Sequence, residues 1–94
     1  MTRRFAMGLG SDGITVNAVA RGFVRTDMTE GRRSADEWEA IEKSLAERTM
    51  MGRIGQPADI ASAVAFLAAP EASWVTAQML VVDGGRRDGV FDRD

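Results

Sequence analysis

The side chains that could do chemistry are few, and their absences carry most of the information. Among 94 residues there is no histidine and no cysteine, which removes imidazole base catalysis, thiolate chemistry, disulfides and the usual zinc ligands together. There is no tyrosine, one lysine (Lys43) and no Gly-x-Ser-x-Gly elbow, so no general acid-base or nucleophilic set assembles from the sequence. The 14 acidic residues include none placed beside a partner that would tune it. Two glycine-bearing stretches remain. Gly8-Leu9-Gly10-Ser11-Asp12-Gly13 spells the phosphate-cradling G-x-G-x-x-G, but that mechanism needs a strand before it and a helix N-terminus after it. Here a helix end precedes and a strand follows, so these glycines read as a helix stop and a turn. The second stretch, Ala20 to Thr26, follows a buried-strand pattern, and in open parallel sheets ligands sit beyond the carboxyl ends of the strands.

That strand is Ile14 to Val19, short and β-branched, suited to a sheet covered on both faces. Before it, Thr2 to Leu9 carries Phe5 and Leu9 at helical spacing with no capping residue at Met1, so residues 1–10 read as the end of a helix. After the polar stretch Ala20 to Arg33, Ser34 with Glu37 makes a capping box that opens a helix over about Ala35 to Arg48, with Trp38, Ile41 and Leu45 as its apolar stripe. The glycine-punctuated Thr49 to Gln56 leads to Pro57 at a first helical position and Asp59 in the first turn. The helix from Pro57 to Ala69 is apolar nearly all round, the mark of burial on more than one side. A second strand-like run, Met79 to Val82, ends at Asp83-Gly84-Gly85, and residues 86–94 read as a loose tail. Strand, helices, strand is a crossover unit with parallel strands. Nothing else in the sequence supplies neighbours for their outer edges.

Composition bounds the remainder. Apolar residues make up 45% and charged residues 28%, ordinary globular usage. A net charge of −2 and three isolated arginine pairs give no footprint for nucleic acid. No apolar run reaches signal-peptide or membrane-spanning length, which reads as a cytoplasmic chain. Trp38 and Trp74 are expected to be packing anchors, and Met28, Met50 and Met51 core residues in preference to pocket lining.

Asn17-x-Val19-x-x-Gly22-x-Val24-x-Thr26 resembles the segment that closes the sixth strand of short-chain dehydrogenases/reductases. Gly52-Arg53-Ile54-Gly55-Gln56-Pro57-Ala58-Asp59-Ile60-Ala61 resembles that family's Gly-Arg-x-Gly-x-Pro-Glu-Asp-Ile-Ala. Thr76-Ala77-Gln78-Met79-Leu80-Val81-Val82-Asp83-Gly84-Gly85 resembles its closing Thr-Gly-Gln-x-x-x-Val-Asp-Gly-Gly. Each is weak alone; three in order over about Thr2 to Gly85 are specific. The resemblance implies an α/β fold, the C-terminal strand-helix-helix-strand part of a Rossmann-like doubly wound parallel sheet over residues 1–85. It implies NAD or NADP as cofactor, with Gly22, Val24 and Thr26 against the nicotinamide, and a small or acyl-chain ketone or alcohol as substrate. It also implies a subunit interface through 58–69 and 79–82. The sequence departs from the pattern at Arg21, where the family has proline, and at Ala77, where it has glycine; if residue 77 needs a positive φ, alanine strains it.

The family's catalytic serine, tyrosine and lysine and its N-terminal phosphate loop have no counterpart here, and by the resemblance Thr2 to Leu9 matches the latter part of the helix that carries the tyrosine and lysine earlier along. The expectation is a portion of an NAD(P)-dependent oxidoreductase, similar to 3-oxoacyl-carrier-protein reductases, that transfers no hydride by itself. The competing readings are a non-enzymatic module that pairs with itself or with a full-length relative, and a truncated gene product.

Overall fold

A computed structural model describes residues 1–25 and 33–88; Thr26 and Met28 lie outside them. Helix α1 (Thr2–Leu9) runs into a 3-10 turn at Gly10–Asp12. Gly10 keeps right-handed helical dihedrals, and the chain turns only at Gly13, whose φ is 75°. Gly13 N–H donates to Gly10 O at 3.0 Å and Ile14 N–H to Leu9 O at 3.3 Å, the paired bonds of a Schellman stop, which favours glycine at the left-handed position.

Strand β1 is Ala18–Arg21 and pairs in parallel with β2, Met79–Val82, in the register Ala18↔Met79 to Arg21↔Val82. The strand expected at 14–19 is therefore displaced toward the C-terminus. The reason lies in side chains that replace ladder bonds. Val16 N–H donates to Thr76 Oγ1 at 3.0 Å, while Asn17 donates through Nδ2 to Val75 O at 2.9 Å and accepts from Gln78 N–H at 3.0 Å. Residues 16 and 17 are thus tied to 75–78 without forming a ladder of their own. This clasp includes Ala77, whose N–H donates to Val16 O and whose φ is 61°, so the position occupied by glycine in the resembled motif does require a left-handed backbone.

Helix α2 (Ala35–Glu47) begins where the Ser34 hydroxyl accepts from Glu37 N–H at 3.1 Å. Helix α3 (Pro57–Ala68) lies against both strands and is followed by a 3-10 turn at Pro70–Ala72. The core is small: among the described residues Ala6, Trp38, Ile54 and Ala72 are the buried apolar ones, and no large side chain is fully buried. Trp74, expected as an anchor, is 98% exposed, because it leaves the 3-10 turn on a side that no other described element reaches. Met50 and Met51, expected in the core in preference to pocket lining, are 64% and 67% exposed; Met50 lies over Gly85, and Met51 lines a cavity with Phe23 and Val24.

Candidate functional site

The three motifs converge at the carboxyl ends of the two strands. After β1, Gly22 donates its N–H to Val82 O at 3.2 Å. A Cβ at residue 22 would stand 2.6 Å from Asp83 Cβ, so only glycine lets the two strand exits lie side by side. Phe23 to Arg25 then pair with Gly55: Gly55 N–H donates to Phe23 O at 2.7 Å and Arg25 N–H to Gly55 O at 3.0 Å. Gly55 is itself in close approach, since a Cβ there would come within 3.3 Å of Val24 Cγ2.

This parallel bridge spends the groups on either side of Val24 and turns its own N–H and C=O the other way. Neither finds a partner among the described residues. Val24 therefore offers one backbone donor and one backbone acceptor at the rim of the strand ends, a fit for a planar amide.

The closing motif is held from the far side. Asp83 Oδ1 accepts from Gly85 N–H at 2.9 Å, and Gly84 and Gly85 take φ values of 63° and 78°. Their carbonyls accept from Met51 N–H at 3.0 Å and Met50 N–H at 2.6 Å. Beneath them Thr49 is 2% exposed. Its hydroxyl lies 2.9 Å from Ala46 O and 3.0 Å from Arg53 O and accepts from Gly52 N–H at 3.0 Å. Residues 86–88, expected to belong to a loose tail, are instead engaged. Thr49 and Arg86 form an antiparallel bridge, Arg87 N–H donates to Arg48 O at 2.8 Å, and the Arg86 guanidinium lies 4.4 Å over the Phe23 ring. The sequence carries a faint trace of this junction: a hydroxyl residue directly after an amphipathic helix and before glycine is a local turn former.

Arg53 and Asp59 complete the site. Arg53 Nη1 lies 3.0 Å from Asp59 Oδ2, which also accepts from Gln56 N–H at 2.7 Å at the start of α3. The hydrogen bond from Arg53, with that from Gln56, holds the Asp59 carboxyl below its ordinary range. Together these elements border a cavity of about 190 Å³ among Phe23, Val24, Gly55, Ile60, Val82 and Gly84. A second cavity, about 280 Å³, lies on the α2 side of the same loop.

Of the three residues expected at a cofactor, Gly22 and Val24 stand together at this junction and Thr26 lies outside the described residues. Gly22 has a structural reason, its approach to Asp83, that spacing alone does not reveal. Among the described residues no group of three or more potential metal ligands is assembled, and no helix is long and apolar enough to cross a membrane.

Comparison with known proteins gives a consistent picture. A family model described as enoyl-(acyl carrier protein) reductase matches residues 1–87. The 3-oxoacyl-[acyl-carrier-protein] reductase of Rickettsia bellii is 45% identical over 90% of the chain, and the 3alpha-hydroxysteroid dehydrogenase of Mediterraneibacter gnavus is 47% identical over 93%. In both cases the chain spans 33% of the relative's length. A solved 4-hydroxyisoleucine dehydrogenase mutant, complexed with NADH and succinate, superposes with a TM-score of 0.74 at 32% identity, over 94% of this chain and 35% of that one. The strands and helices described above thus correspond to about a third of the length of a Rossmann-like dehydrogenase chain.

Proposed function

Because this chain belongs to the short-chain dehydrogenase/reductase family, we propose that it supplies the nicotinamide-facing loop and the substrate lid of an NAD(P)-dependent oxidoreductase. Its substrate class is a small or acyl-chain ketone or alcohol, and the setting is the cytoplasm. The observation that carries this reading is the convergence of the three motifs around Val24, whose amide and carbonyl have no partner among the described residues at the strand ends. Gly22 lets the loop pass close to Asp83, Val24 meets the carboxamide with its backbone, and the Thr26 hydroxyl completes the contact. Bound there, the dinucleotide would give a hydride to a ketone or take one from an alcohol. These residues orient the ring and exclude water from one side of it, and they move no proton themselves.

The 94 residues transfer no hydride alone, since they contain neither tyrosine nor a lysine near the site. Purified chain is expected to show no NADPH oxidation with a ketone, and turnover would overturn that part of the proposal. Mixed with the remaining N-terminal two thirds of a relative, the chain is expected to restore NADH- or NADPH-dependent reduction. Val24→Pro, which removes the donor, should reduce that restored activity at least tenfold. Equal activity from the Val24→Pro chain would separate this loop from the cofactor.

The half-exposed Val64 and Phe66 of α3 and Met79 of β2 favour a second element of the reading: association through 58–69 and 79–82, with a second copy or with a full-length relative. Sedimentation of the purified chain tests it, a monomer counting against the interface.

A further inference from the structure

We infer that the larger cavity, between the 21–25 segment and α2, takes the anionic end of the substrate, so that the preferred ketone or alcohol carries a carboxylate. The inference deepens the oxidoreductase reading and rests on it. The cavity, about 280 Å³, is walled by Phe23, Trp38, Ile41, Leu45 and Ile54. Its polar side chains are all donors: Arg21, Arg33 and Trp38 line it, and no aspartate or glutamate does among the described residues. Arg21 makes no ion pair among the described residues, and it stands where the resembled motif has proline. Trp38 is 8% exposed, and its Nε1–H finds no acceptor among the described residues.

A buried donor is seldom left unmet in a native protein, and a guanidinium matches the two oxygens of a carboxylate. An apolar box whose polar side chains are guanidinium and indole N–H donors disfavours amines and cations and prefers an oxyanion to a neutral hydroxyl. It complements a hydrocarbon chain ending in an oxyanion, such as a keto acid or a hydroxy acid. A dinucleotide phosphate carries the same charge, and the test distinguishes the two.

The purified full chain is titrated with hexanoate, with 1-hexanol and with NADH, by ligand-observed NMR, with far-UV circular dichroism checking that each variant keeps its helices. Hexanoate is expected to bind at least tenfold more tightly than 1-hexanol. Arg21→Gln and Trp38→Phe, both of which leave the backbone and the wall in place, should each weaken hexanoate at least threefold, while Arg4→Ala on α1 should not. Equal binding of hexanol, no binding of hexanoate, or hexanoate binding indifferent to Arg21→Gln would overturn the inference. Displacement of hexanoate by NADH would overturn it as well, by assigning Arg21 to the cofactor's phosphates. Hexanoate binding without NADH binding would instead support the cavity and count against the nicotinamide contact alone.

Discussion

The junction at the strand ends and the outer face of α3 and β2 are built on opposite terms. At the junction, Thr49, Gly55, Asp83 and Gly85 each meet a named partner within 3.0 Å, and glycines sit where a Cβ would collide. On the outer face, Phe66, Val64 and Met79 are each half exposed or more, and a cleft of about 370 Å³ stands open between α3 and β1. Hydrogen bonds are satisfied locally, between segments the chain itself brings together, whereas apolar burial needs volume from elsewhere. A chain spanning a third of its relatives' length can therefore hold its loop geometry around only a small core.

The comparison breaks first at Gly22. Gly22→Ala places a methyl 2.6 Å from Asp83 Cβ and must push the strand exits apart. Overpacking against backbone should cost about 3 kcal/mol, read as a fall in the urea midpoint with loss of amide protection at Arg21 and Val82. Thr49→Val keeps the shape and removes the hydroxyl. It leaves Arg53 O without the hydroxyl at a residue 2% exposed, while Gly52 N–H keeps Thr49 O and Ala46 O keeps Thr49 N–H, at about 1 kcal/mol, again by urea unfolding. A chain whose stability ignores both changes has no real junction.

How much of this could be read from residues alone depended on whether a signal was local. The Ser34 cap, the Pro57 helix start and the Val82-Asp83-Gly84 strand end are written in adjacent residues and are found where those residues place them. The observed strand, Ala18–Arg21, lies C-terminal to the one predicted, because the apolar pattern at Ile14 to Val19 cannot tell a ladder from a segment whose Asn17 and neighbouring Thr76 side chains make the bonds. At the site, Gly22 and Val24 were legible as a motif, but Thr49 was not. Its importance comes from Gly84 and Arg86, about 35 residues away in sequence, reaching back to it.

Ala77 sharpens the comparison in the other direction. Its φ of 61° costs an L-residue about 1–2 kcal/mol, and glycine returns about 0.4–1 kcal/mol of that to unfolded-chain freedom. Ala77→Gly should therefore stabilise the chain by roughly 0.5–1 kcal/mol, seen as a raised urea midpoint. The Arg53–Asp59 pair is a lesser contributor because both groups are open to solvent. Asp59 has a depressed folded pKa, so its contribution is present above the unfolded carboxylate value and fades as pH falls through the folded one. Stability curves of the native chain and Asp59→Asn should differ near neutrality and converge in acid.

The smallest effect is expected where hydrophobicity is greatest. In an ordinary helix Val64→Glu with Phe66→Glu would bury two carboxylates, but here both side chains are already at least half in water. Surface changes of this kind stay within about 0.5 kcal/mol, so the unfolding midpoint of the dilute chain should barely move. Association should move instead: if 58–69 is an interface, the double variant sediments as a smaller species than the native chain at equal concentration. A large loss of stability in a variant that remains monomeric throughout would mean that α3 is covered from within the chain. The contrast between a finished junction and an unfinished core would then fail.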